Sequence, residues 1–156
     1  MTKSDEILEN GKVAEMGKMC VCLNTRKAAR AVTQFYDEIL KPTGLRVTQV
    51  ALLPAVKLLG PVTVKRLAKA TVMDRTTLTR NLKPLEKKGL VSIEPGEDLR
   101  ERKVTLTDLG REKLKEAYPL WEKAQETLTG RLGGAGLNVL LGGLSELVSA
   151  TRSKRA

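Results

Sequence analysis

No histidine occurs anywhere in these 156 residues. That removes Ser-His and Cys-His nucleophile pairs, imidazole acid–base chemistry and the commonest metal ligand. Aromatic residues are almost as scarce. Phe35, Tyr36, Tyr118 and Trp121 are all there are, too few for the stacked platforms on which single-stranded nucleic acids lie. No apolar run approaches the 18 residues of a membrane-spanning helix, and "MTKSDEILENGKVAEMGK" lacks the apolar centre of a secretory signal. The expectation is a soluble, cytoplasmic chain. Cys20 and Cys22 are the only cysteines, which is no disulfide framework. A metal site built on them would need ligands from two subunits, and neither a metal nor a cofactor is expected.

What is abundant is positive charge: 28 Lys and Arg against 18 Asp and Glu, a net +10. Such a balance suits a polyanion, nucleic acid before an anionic membrane. The length fits one domain, or one domain with an added arm, and allows a sizeable core.

The stretch "MDRTTLTRNLKPLEKKGLV" carries the sharpest pattern. At about 100° per residue, Leu78, Leu82 and Leu85 fall on one stripe, and Thr76, Arg80, Lys83 and Lys87 on the opposite one. Asp74 is the expected N-cap and Gly89 the C′ glycine, with Pro84 bending the helix between them. A shorter helix, Thr63 to Thr71, precedes it, capped by Thr63. Strand-like runs follow, Leu90 to Glu94 and Lys103 to Leu106, around a Pro-Gly turn. Before these lie a helix from Met19 to Leu40 and another from Thr48 to Leu59, with Thr48 as N-cap and Pro54 as an irregularity. After them come a helix capped by Thr107 and kinked at Pro119, a break at "GRLGGAG", and a last apolar helix, Leu137 to Thr151. Residues 1 to about 17 read as polar, with a helical turn near Ile7 and Leu8.

Two short helices, a tight turn and a hairpin describe a winged helix-turn-helix: a mainly α fold with a small β-hairpin wing. Its second helix would present Thr76, Arg80 and Lys83 to a DNA major groove. Thr77 and Thr79 flank that stripe, and Arg75 is placed for a phosphate. With the capping residues Thr63 and Asp74 these form the expected DNA-contacting set. Arg100 and Arg102 at the hairpin tip suit a narrow, electronegative minor groove, and Asp98 would fix the direction of Arg100. A solvated charged loop is the plainer alternative for the tip.

The stretch from Val62 to Leu114 resembles the DNA-binding core of the MarR (multiple antibiotic resistance regulator) family. The resemblance lies in the "LEKKGLV" helix exit, the Asp-x-Arg wing and the "LTDLG" entry to the next helix, and extends over roughly residues 19–150. Family wings often read D-x-R-D-x-R; the Arg100-Glu101-Arg102 spacing is tighter, and either arginine can be the groove contact. The resemblance implies a homodimer on a pseudo-palindromic double-stranded site. Residues 19–44 and 107–156 would form its body, 45–106 its DNA-binding domain, and 1–18 a polar arm. The apolar "LNVLLGGLSELVSA" independently asks for a partner. Its Gly142-Gly143 pair reads as a close-packing site, since no Lys-Ser/Thr follows to make a phosphate loop.

Family members release DNA on binding a small phenolic compound or on cysteine oxidation. Cys22, followed by Arg26 and Lys27, is the candidate redox sensor. The segment Cys22 to Arg30 resembles that of the family's organic-hydroperoxide-sensing branch, with Thr25 and Arg26 standing around the family's tyrosine position. About 200° separates Cys20 from Cys22 around one helix, too far to pair. Packing at a helix contact is the alternative role for both. Arg30, Tyr36, Tyr118 and Trp121 are the residues that would stack on and pair with an aromatic anion, or else are core aromatics. The expected function is a dimeric, sequence-specific DNA-binding transcriptional regulator, a repressor, and not an enzyme. The alternative is a winged-helix module for protein interaction or non-specific, architectural DNA binding.

Overall fold

The computed structural model describes residues 10–98 and 100–152. Among these, helix α1 (Asn10–Met19) leads into α2 (Val21–Leu40), and a 3-10 turn (Lys41–Thr43) leads to α3 (Val47–Val50) and α4 (Leu52–Leu59). Strand β1 (Val62–Thr63), helices α5 (Val64–Ala70) and α6 (Arg75–Lys87), and strands β2 (Val91–Pro95) and β3 (Arg102–Leu106) follow. Helices α7 (Asp108–Leu132) and α8 (Gly134–Arg152) end the described chain. The mainly α fold with a small hairpin wing is therefore present. The sheet is three-stranded and antiparallel, in the order β1-β3-β2, with Ile93 opposite Val104 and Val62 opposite Val104 on the other side.

The core explains why α6 survives its proline. Leu78, Leu82 and Leu85 are all at most 1% exposed, each contributing about 1.5–3 kcal/mol by burial. An interior proline costs roughly 3 kcal/mol, so the leucine stripe outweighs it. The helix runs unbroken through Pro84. Helix α7 is likewise continuous through Pro119. Its buried side, Ala117 and Ala124, uses small residues so that α2 can approach closely.

Five features differ from the sequence expectation. The polar arm includes a helix, α1, while Ile7 and Leu8 lie outside the described residues. Helix α2 begins after Cys20, whose extended backbone (φ −67°, ψ 106°) and Sγ, accepting from Leu23 N at 3.4 Å, make it the N-cap. The helical separation invoked for Cys20 and Cys22 therefore does not apply. Thr48 is not an N-cap. Arg46 holds that place, its N–H donating to Gln49 Oε1 (3.0 Å), while Asp37 Oδ1 accepts from Val47 N (2.7 Å). The Thr48–Leu59 helix is split at Ala51, which puts Pro54 in the first turn of α4, where a missing N–H is harmless. The glycine-rich break shrinks to Gly133 alone (φ 72°), where α7 and α8 meet at 106°; Gly134 and Gly136 are already helical.

One node joins the lobes. At the end of α6, Gly89 (φ 69°) turns the chain while its N–H donates to Glu86 O and Leu90 N donates to Leu85 O, both at 2.9 Å. This Schellman arrangement satisfies carbonyls that the helix end would leave bare. Thr107 then donates its hydroxyl to Gly89 O (2.6 Å) and its N–H to Leu90 O (3.2 Å), and accepts from Gly110 N (3.0 Å) as the N-cap of α7. Gly110 has no room for a side chain: a Cβ there would lie 2.0 Å from Leu90 O and 2.7 Å from Leu106 Cδ1. Because the first obstacle is backbone, Gly110→Ala should cost about 3 kcal/mol, the upper end of overpacking. Urea unfolding checks this; a loss below 1 kcal/mol would mean that α7 shifts freely.

Candidate nucleic-acid interface

Helix α6 is anchored at its start by Asp74. Its Oδ1 accepts from Thr77 N (2.8 Å) and its Oδ2 from Thr77 Oγ1 (2.7 Å). The Thr77 hydroxyl, and then its N–H, hold the Asp74 carboxyl below its ordinary value of 3.8. Thr79 donates its hydroxyl to Arg75 O (2.7 Å). Among the described residues, Thr76 alone of the three α6 threonines makes no hydrogen bond with its hydroxyl inside the chain. Thr76, Arg80 and Lys83 are exposed on one side with Arg75 and Thr79, and together border a shallow surface depression. Leu78, Leu82 and Leu85 hold the opposite face in the core, so the two stripes read from the sequence are both present.

Thr63 caps α5, its Oγ1 accepting from Arg66 N (3.2 Å). Buried Leu67 and Ala68 set α5 against α6. The first of these helices thus carries Thr63 and Lys65 to the mouth of a groove that Arg75 and Thr79 line from α6 and Arg100 and Arg102 from the hairpin. Eight of the residues singled out in the sequence therefore border one surface, five of them around this groove with three more on the adjoining helix face: Thr63, Arg75, Thr79, Arg100 and Arg102, then Thr76, Arg80 and Lys83. Lys65 was not foreseen, although its place two residues after a helix cap is the signal that could have found it. Glu86 and Glu101 also border the groove, so its charge is mixed rather than uniformly basic.

The wing differs from expectation in two details. Arg102 lies in β3, paired with Pro95, and not at the tip; Arg100 alone of the two is in the turn. Asp98 Oδ1 accepts from the backbone N–H of Arg100 (2.9 Å), not from its guanidinium. Asp98 shapes the turn and leaves the arginine head exposed.

A second feature lies between α2, α3, α4 and α7: a cleft of about 710 Å³ lined by Tyr36, Thr33, Met73, Tyr118 and Trp121, among others. Tyr36 is buried and donates its hydroxyl to Gln125 Oε1; burial pushes its phenol above the ordinary 10.0. Tyr118 and Trp121 form a tilted pair with ring centroids 5.8 Å apart. Arg30 is exposed and does not line the cleft, because it occupies another side of α2. The structure gathers three of the four expected ligand residues and separates the cation from them. Cys22 is exposed and Cys20 partly so.

Comparison with known proteins identifies the assembly. The model of the MarR family matches residues 43–101. YwoH, an uncharacterised HTH-type transcriptional regulator of Bacillus subtilis (strain 168), is 33% identical over 102 residues, 65% of this chain and 74% of the relative. The chain belongs to the MarR family. The crystal structure of the M. tuberculosis transcriptional regulator MosR in complex with DNA is 37% identical, with a TM-score of 0.74 over 85% of this chain and 98% of that one. A probable transcriptional regulator from Pseudomonas aeruginosa shares the fold, at TM-score 0.75 and 24% identity over 83% and 98% of the two chains. This MarR-family chain is a DNA-binding transcriptional regulator and not an enzyme. Among its described residues, no single helix is long and apolar enough to cross a membrane.

The Asp74 cap gives a pH dependence. A carboxyl depressed on folding stabilises the folded form above its ordinary value, and that contribution fades as pH falls through the folded value. Asp74→Asn keeps the acceptor but cannot titrate. The urea midpoint of the wild type should fall relative to Asp74→Asn below pH 3.8, with a constant difference above about pH 5. A constant difference at all pH values would show that the charge contributes nothing.

Proposed function

We propose that this MarR-family regulator is a homodimeric repressor that reads a pseudo-palindromic operator through α6 and the wing. Residues 45–106 would carry the DNA contacts, and residues 19–44 with 107–156 the dimer body. The observation carrying this reading is the groove that sets Arg75 and Thr79 of α6 beside Arg100 and Arg102 of the hairpin, all facing solvent. A duplex offers a phosphate backbone between its major and minor grooves, and such a groove flanked by helix and hairpin suits that ridge. Thr76, with its unengaged hydroxyl, and Arg80 are placed to read base edges; Lys83 and Arg75 suit phosphates. Thr77 contributes through the cap, with Asp74. The relative MosR, solved with DNA at 37% identity, supports the reading.

Dimerisation is supported by what the chain leaves uncovered. Helix α8 buries none of its residues, and Val139 is 77% exposed, with Leu140, Leu141, Leu144 and Val148 also exposed. A Cβ at Gly142 or Gly143 would meet nothing within 4 Å, room that a second helix can use. Helix α1 and the start of α2 add Val13, Met16, Met19, Val21 and Leu23. Release from DNA would follow occupation of the cleft or oxidation of Cys22.

The test is anisotropy of a fluorescent duplex from the upstream region of its own gene against a scrambled duplex, at two salt concentrations, in thiol and after mild hydroperoxide. The upstream duplex should be preferred, and Arg80→Ala should weaken it by about 5- to 160-fold, as loss of one bidentate contact of about 1–3 kcal/mol implies. Arg100→Ala should flatten the salt dependence by about one unit of slope. Leu144→Glu should halve the sedimenting mass and abolish the preference. If peroxide releases the duplex and Cys22→Ser does not respond, Cys22 is the sensor; an unchanged wild type leaves the cleft as the switch. Equal, salt-labile binding to both duplexes would instead favour the architectural module.

A further inference from the structure

One residue before the Gly89 turn, Lys88 reaches out of the end of α6. Its ammonium donates to the carbonyl of Gly44, 44 residues earlier in the chain, at 2.6 Å. Gly44 closes the 3-10 turn that connects α2 with α3. We propose that Lys88 is a positioning residue: it ties the end of α6 to this connection, and so sets the distance between the two reading helices of a dimer. This rests on the dimeric reading, which places α2 in the dimer body, and names operator spacing as what the contact controls.

The connection acts as a joint because its own polar groups are occupied. Thr43 is buried, and its hydroxyl donates to Leu40 O (2.7 Å) and accepts from Leu45 N (3.1 Å). The Gly44 N–H donates to Lys41 O (3.0 Å) with φ at 67°. Asp37 of α2 accepts from Val47 N (2.7 Å) and faces the Arg46 guanidinium at 3.9 Å. A segment tied in this way cannot swivel without breaking hydrogen bonds. Asp37 holds it from the side of α2, and Lys88 holds it from the side of α6. Asp37 and Glu38 border the same surface depression as Lys88, yet among the described residues Lys88 pairs with no carboxylate. Its partner is backbone, which has no rotamer by which to move away, and a hydrogen bond from a cation is stronger than a neutral one. In a two-fold dimer, a rotation of one lobe at this joint is repeated in the other. Half-sites on one face of a duplex lie about 34–36 Å apart, so a small rotation takes both reading helices out of register together.

The full-length protein should first select its operator from a random duplex library. Affinity is then measured for that operator, for the same half-sites moved one base pair closer or farther apart, and for a single half-site. Lys88→Met keeps the stem and removes the donor. It should lower affinity for the selected spacing by about 2- to 30-fold, the range for one contact that couples two elements, and flatten the preference over the shifted spacings. Its affinity for the single half-site should match that of the wild type. Lys88→Arg, which retains a cationic donor, should keep the wild-type profile. An unchanged spacing profile in Lys88→Met, or the same loss in Lys88→Arg, overturns the proposal. An equal loss on the single half-site also overturns it and makes Lys88 a phosphate contact. A wild type indifferent to spacing overturns the dimeric reading and this inference with it. Lys88 is exposed, so Lys88→Met should retain the wild-type circular dichroism; should it not, Lys88→Gln, one bond shorter, decides in its place.

Discussion

The hydrogen-bonded node at Gly89, Leu90, Thr107 and Gly110 is the constraint on which the rest of the molecule depends. Four requirements meet there: the recognition-type helix must stop, the hairpin must start, the hairpin must return, and the long helix α7 must begin. Each is met by a group that also serves another. The Gly89 carbonyl accepts from Thr107, whose hydroxyl in turn accepts from Gly110 N. The Leu90 carbonyl accepts from Thr107 N and occupies the space a Gly110 side chain would need. Helix α6 and the wing are therefore not separate appendages of the helical body. They share its first turn.

That sharing explains how a chain with so few specialised residues sets cations and threonines together on one exposed face. The leucines of α6 and the valines of the sheet fix which sides face inward; the remaining sides are left for cations and threonines. Position, not unusual chemistry, makes the surface. The carboxyl of Asp74, held low by its hydrogen bonds from Thr77, shapes the helix start. The acids at Glu86 and Glu101 temper the groove, which disfavours indiscriminate attraction to phosphate and leaves more of the discrimination to geometry.

Much of this was legible beforehand, and the reasons are local. The cap at Asp74, the leucine stripe, Gly89 and the Thr107 cap each follow from rules spanning four residues or fewer, and each stands as expected. What could not be read depends on partners far along the chain. Arg46 displaced Thr48 as a cap because Asp37, ten residues away, takes the Val47 N–H. β1 is two residues long and exists only because β3 is beside it. That α6 stays continuous through Pro84 could not be read from propensity, because the pull of three buried leucines does not appear there. Arg30 looked like a ligand residue because a one-dimensional pattern does not say which side of α2 faces the cleft. Helix α1 was missed since its polar face dominates the composition of the segment.

The uncharged lining of the cleft sets apart two kinds of chemistry within one chain. Ionic strength acts on the arginine-bearing groove and has almost no purchase on walls without charge. Apolar area and temperature act on the cleft through the heat capacity of its hydration, and barely on the groove. The two surfaces thus answer to different properties of the surrounding solution, ionic strength for the charged one and dissolved apolar molecules for the other.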